Sequence, residues 1–223
     1  MTLSTSKLKE QREFYADVLS LPVKDIGKAS FSVQIGESTL TFKEVNDGSN
    51  PFYHYAINIP SNQHLQAKEW LSKRTPLLKA NGSDSDLLYF DFWDAHAMYF
   101  KDPAGNIGEL IARHTLDNDS EGEFGVSDLL YLSEIGMPVE DPLDLAAELK
   151  EAYGLGKLGE SMFIGDEYGL FVAVPVDRLW FPEYTQHAKI HPTEVTVTDK
   201  GADNFSYKNY PYRIQRERLD NAK

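Results

Sequence analysis

Two side chains far apart in the chain carry donor chemistry: His54, on the apolar run Phe52 to Ile59, and Glu109, on the apolar run Ile107 to Arg113. Glu109 is the sharper signal. Its strand follows Met98 to Lys101 and the stretch Asp102-Pro-Ala-Gly-Asn106, where Asp102 can cap a turn, Pro103 presets φ, and Gly105 and Asn106 tolerate positive φ. Alternation puts Ile107, Glu109 and Ile111 on one face of the second strand. A carboxylate turned into a sheet costs free energy unless it is paired or ligates something. Arg113, two positions further along that face, is one available partner; a metal ion is the other. His54 reads either as a buried imidazole bonded to a backbone carbonyl or as a ligand.

The elements that must position these residues recur along the chain. A helix is expected from Lys7 to Ser20, with Leu8, Phe14, Tyr15, Val18 and Leu19 at helical spacing, after a stub, Met1 to Ser4, that can form a short strand. A hairpin follows, Ala29 to Ile35 and Thr39 to Val45 around Gly36-Glu37-Ser38. The order then repeats: strand Phe52 to Ile59, helix Ser61 to Lys73 with Ser61 as N-cap and Leu65, Trp70 and Leu71 buried, and strands Asp86 to Trp93, His96 to Lys101 and Ile107 to Arg113. A third copy reads as strand Leu129 to Met137, helix Pro142 to Tyr153 capped by Asp141, strands Glu160 to Ile164 and Leu170 to Pro175, an irregular insertion Asp177 to Pro192, and a last strand Thr193 to Thr198. The expected organisation is residues 1–115 as two βαβββ modules, 116–125 as a linker, and 126–223 as a third module with a tail.

Composition narrows the function classes. The chain has 223 residues, 41% hydrophobic and 26% charged, near the average of globular domains. It contains no cysteine, which removes disulfides, thiolate metal sites and a cysteine nucleophile. A net charge of −13 repels phosphate backbones, and neither Lys7, Lys9 and Arg12 nor Arg213, Arg216 and Arg218 form a block that would overcome it, so no nucleic-acid partner is expected. No apolar run has the length of a membrane span, so no membrane partner is expected either. The N-terminus lacks a signal pattern, and a cytoplasmic protein is the expectation.

Three local strings resemble one superfamily. Phe14-Tyr-Ala-Asp-Val-Leu-Ser-Leu-Pro-Val23 resembles the first-helix motif of the vicinal oxygen chelate proteins, which include glyoxalase I, extradiol dioxygenases and bleomycin-resistance proteins; Phe52 to Pro60 and Met98 to Arg113 resemble the first strand and closing hairpin of its second module. The resemblance implies an α+β fold in which two βαβββ modules pair into a half-open barrel around one divalent metal (Fe, Mn, Zn or Ni), with ligands on the first and last strands of each module. Carried over, the second module's ligands are His54 and Glu109, with Glu109 also the candidate catalytic residue. The first module departs: no histidine stands at its first strand, and its last-strand position falls near Thr41, a poor ligand, which argues against a glyoxalase I mechanism. Ala97 stands where a fosfomycin-type transferase keeps a hydroxyl.

Waters, a subunit partner's side chain, or His96 reaching in from its hairpin would complete the ligand set. In the third module Glu134 occupies the first-strand ligand position, and with His187, His191 and Glu194 it could make a vestigial second site. Phe92, Trp93 and Tyr99, with Thr41, are the expected walls of a substrate pocket for a small, flat or oxygen-rich molecule. An odd module leaves an unpaired sheet edge, which motivates a homodimer. The functional expectation is a metal-dependent enzyme of dioxygenase or lyase type; the alternatives are a metal-free binder of aromatic or antibiotic-like molecules and a silent scaffold.

Overall fold

The computed structural model describes residues 1–155, 163–198 and 203–217, and the backbone of 157–158. The first module comprises β1 (Thr2–Thr5), α1 (Leu8–Glu13), β2 (Val23–Asp25), β3 (Ser30–Ile35) and β4 (Ser38–Glu44). Helix α1 does not run on regularly to Ser20; it widens into a π-helical turn, Phe14–Val18, that buries Phe14 and Tyr15. The second module comprises β5 (His54–Ile59), α2 (His64–Ser72), β6 (Leu77–Leu78), β7 (Leu88–Phe90), β8 (Ala95–Lys101) and β9 (Ile107–Arg113). Its helix starts later than Ser61, whose hydroxyl bonds Asp119 in the segment after β9 instead of capping, and Leu65 is exposed while Ala67 and Leu71 face the core.

The third module comprises β10 (Tyr131–Val139), α3 (Pro142–Tyr153), β11 (Lys157–Leu158), β12 (Phe163–Gly165) and β13 (Leu170–Pro175). Here the local chemistry is read directly: the Asp141 carboxylate accepts from the N–H groups of Leu143 and Asp144, Pro142 fills the first turn, and Gly154 ends the helix at φ 67°. The strand expected over Glu160 to Ile164 begins outside the described residues. Three further strands follow, β14 (Thr193–Val197), β15 (Asn204–Ser206) and β16 (Tyr212–Arg216).

The α+β class and the recurring βαβββ unit match the sequence expectation; the pairing of modules does not. Strand β5 pairs antiparallel with β10, so modules two and three form one open sheet, β11-β12-β13-β10-β5-β9-β8-β6. Strand β1 pairs antiparallel with β14, and the second open sheet runs β15-β16-β14-β1-β4-β3-β2. Thr193 to Thr198 is therefore not the last strand of module three. It opens a fourth, abbreviated unit in which β14 lies parallel to β16 and β15 antiparallel to it, as the first and last strands do in the full modules. The reason is edge chemistry. Every module leaves its first strand with unpaired N–H and C=O groups, and the C-terminal strands supply the edge β1 needs. The third module likewise finds its partner within the chain, which removes the module-counting motive for a homodimer.

The main core fills the space between the sheets. The Tyr15 ring packs on Phe42 of one sheet, centroids 5.3 Å apart, and its hydroxyl bonds that of Tyr55 on the other. Phe14 stacks on Phe100, whose ring in turn lies on Gly108, where a Cβ would come within 2.3 Å of it. Asp102 ties the closing hairpin to α1: Oδ1 accepts from the N–H groups of Ala104 and Asn106, and Oδ2 from Gln11, Tyr15 and Asn106 side chains. Among the described residues no helix is long and apolar enough to cross a membrane.

Candidate metal centre

The face of β5, β9 and β10 turned away from the helices carries the donors. Strands β5 and β9 run parallel with Ala56 beside Glu109, so His54, Ala56, Ile107 and Glu109 share that face. On the other side of β5, the register with β10 shifts between Leu132 and Glu134. The extra residue, Ser133, is a β-bulge. By plain alternation Glu134 would join Leu132 on the helix side; the bulge sets it opposite Ala56 and turns it toward His54.

His54 Nε2 lies 3.5 Å from Glu109 Oε2 and 4.0 Å from Glu134 Oε2, and one donor atom from each of the three falls within 4.8 Å of the others. His54 and Glu109 are buried, and the Glu134 side chain is 8% exposed. The Nδ1 of His54 stands 3.2 Å from the Ile107 carbonyl, which can only accept, so Nδ1 carries the hydrogen and the Nε2 lone pair points at the carboxylates. Burial lowers the His54 pKa to about 4, so the imidazole is neutral at pH 7 and makes no ion pair with either glutamate. Burial and the charge of Glu134 push Glu109 well above the ordinary carboxylate range, against the pull of Arg113 and the Tyr99 hydroxyl. Glu134 is raised by burial and held down by Arg113.

A lone pair and two carboxylates thus converge, and the one cation bonded to them among the described residues, Arg113, serves Glu134 rather than Glu109. Its guanidinium also lies 5.5 Å from the Trp93 ring centroid. This donor set fits a divalent cation: neutral imidazole and carboxylates suit Fe, Mn, Zn or Ni, and a bound cation would offset the repulsion between the glutamates. The corresponding position on β13 is Val172, opposite Gly136, which offers no ligand atom.

The other candidate residues are distributed differently. Tyr99 borders the centre, its ring 6.3 Å from His54. Trp93 packs edge-on against Phe163, and Phe92 is 68% exposed, away from the cluster. Thr41 lies in the other sheet, between Thr2 and Ser32. His96 does not reach in: alternation along β8 places it on the opposite face from Tyr99. Nor do His187, His191 and Glu194 gather around Glu134. His187 bonds the Asp177 carbonyl, His191 packs on Tyr53 and Phe52, and Glu194 pairs with Lys43.

The insertion between β13 and β14, which had no expected role, caps the centre. The Trp180 ring sits 5.3 Å from that of His54, in the space left by Gly136, where a Cβ would come within 2.5 Å of the indole. A groove of about 880 Å³ opens between the two sheets, walled by Tyr131 and Leu170 of one, Tyr168 of the turn between β12 and β13, and Val195 and Val197 of the other, with Glu134 at its border.

The fold is that of the glyoxalase/bleomycin-resistance/dioxygenase structures. A Bacillus subtilis protein solved as a "putative dioxygenase" superposes over 97% of this chain and 83% of its own, with a TM-score of 0.58 at 16% identity. Glyoxalase I from Zea mays matches 78% of this chain and 64% of its own (TM-score 0.49, 15% identity), and lactoylglutathione lyase from Agrobacterium tumefaciens 53% and 95% (TM-score 0.41, 15% identity). No family model and no curated protein matches the sequence.

Proposed function

We propose that the chain is a metal-dependent enzyme of dioxygenase or lyase type, holding one divalent ion through His54, Glu109 and Glu134 and acting on a small substrate with two adjacent oxygens. The observation that carries this reading is the convergence of His54 Nε2 on two buried carboxylates, with Nδ1 set against the Ile107 carbonyl. When bound, the ion would supply Lewis-acid stabilisation of negative charge developing on substrate oxygens. The chain's own residues do the rest. The Ile107 carbonyl fixes the His54 tautomer, Arg113 orients Glu134, and the Tyr99 hydroxyl bonds Glu109. Glu109, whose hold on a proton is strengthened by burial and by the charge of Glu134, is the group suited to exchange a proton with substrate. Trp180 closes the side of the centre over His54.

The measurement is metal content of untagged protein, wild type against His54→Ala and Glu134→Gln. One equivalent is expected to be lost in each variant; equal metal in all three overturns the reading. A second reading, a metal-free binder, is favoured by the tyrosine-walled groove (Tyr131, Tyr153, Tyr168). It predicts that aromatic ligands perturb tyrosine emission equally in wild type and His54→Ala.

A further inference from the structure

Three of the six histidines meet elsewhere, on the reverse side of the same sheet. His64 is the first residue of α2, His96 is the second residue of β8, and His114 follows β9. Alternation separates them from the centre at His54: Tyr99 and Arg113 face that centre, so His96 and His114 face the helix side. One ring nitrogen from each falls within 4.8 Å of the others, and all three side chains are half-buried. His96 Nδ1 and His114 Nε2 are 2.7 Å apart, and the His64 ring stacks on His96 with centroids 4.1 Å apart. His64 Nδ1 is buried without a well-formed hydrogen bond.

We propose that His64, His96 and His114 form a second metal site, for a divalent transition ion of the zinc, copper or nickel class, that fastens α2 to β8 and the end of β9. Three imidazoles with neither thiolate nor carboxylate among them are the donor chemistry of those ions rather than of magnesium or calcium. A 2.7 Å approach of two ring nitrogens requires one shared proton. An ion displaces that proton and satisfies both lone pairs; tetrahedral ligation sets the nitrogens about 3.3 Å apart, so the His96 and His114 rings separate slightly and the His64 ring turns out of its stack on His96. Burial favours the neutral imidazole at both His64 and His96, opposed at His64 by the Ser61 backbone and at His96 by Asp94. Asp94 is itself held by the Tyr89 hydroxyl at 2.8 Å, and the Tyr89 ring lies on His96 with centroids 4.9 Å apart, which braces the site from outside.

The test is zinc titration of the chelator-treated full chain, as wild type, His96→Gln, His114→Gln and His54→Ala. His96→Gln and His114→Gln are expected to take up one equivalent fewer than wild type. They should also lose a zinc-induced rise in Tm of roughly 5–10 °C at hundredfold excess over Kd, which His54→Ala keeps, because any equivalent that variant gives up belongs to the other centre. Equal uptake in wild type and the two glutamine variants overturns the proposal. Should those variants fail to fold, wild-type imidazole NMR decides: sub-stoichiometric zinc must shift the His96 and His114 resonances, and unshifted resonances overturn it. Because His54→Ala reports only on the other centre, either metal reading can fail while the other stands.

Discussion

At the scale of single residues, the chain places charge where solvent cannot screen it and then satisfies that charge by specific donors. Asp102 is the clearest case outside the cluster of His54, Glu109 and Glu134, with five donors converging on one buried carboxylate. Asp102→Asn would turn an amide toward some of those donors, and chemical denaturation should show a loss of about 1–3 kcal/mol. Burial nevertheless lifts the Asp102 pKa above its usual 3.8, so the folded chain holds that proton more tightly than the unfolded one. Its contribution is therefore full below the unfolded pKa and is lost as pH rises through the raised folded value. Stability curves above pH 4 should show that slope in wild type and not in Asp102→Asn; identical slopes would refute the assignment.

At the scale of elements, two small backbone features decide what the strands present. The Ser133 bulge turns Glu134 from the helix side of β10 to the side of His54. Two residues on, Gly136 leaves the hollow that receives Trp180. Gly136→Ala must displace that indole, and overpacking of this kind costs about 1–3 kcal/mol. The expected signature is lower thermal stability together with red-shifted tryptophan emission, since Trp180 is 5% exposed in the native chain. Unchanged emission would mean that the cap does not depend on that hollow.

At the scale of the whole molecule, pairing between distant modules holds the two sheets in place. Strand β14 covers the β1 edge, and the Tyr53 hydroxyl, which donates to the Pro192 carbonyl and accepts from the Ser4 N–H, links modules one and two to the segment leading into β14. A chain ending at residue 192 would expose the β1 edge and Tyr153 of α3, whose ring packs on Phe205 and whose hydroxyl donates to the Ile214 carbonyl. Open edges of this kind self-associate, so sedimentation should show higher oligomers or aggregate where the full chain does not; a well-behaved truncated species would show that the fourth unit is dispensable.

Local sequence determined the repeated units. Alternating apolar runs, the Asp102 to Asn106 turn and the Asp141-Pro142 start of α3 each specify their own conformation through nearest-neighbour chemistry, and His54 and Glu109 stand on those strands in the right phase. The fourth unit was not legible, because short strands without a helix carry little periodic signal. Which first strands pair, that Glu134 completes the cluster, that Arg113 serves Glu134, and that His96 joins His64 and His114 were decided only in three dimensions. The physical reason is that edge pairing and a one-residue bulge act between segments tens of residues apart, and a shift of one residue reverses the face every later side chain presents.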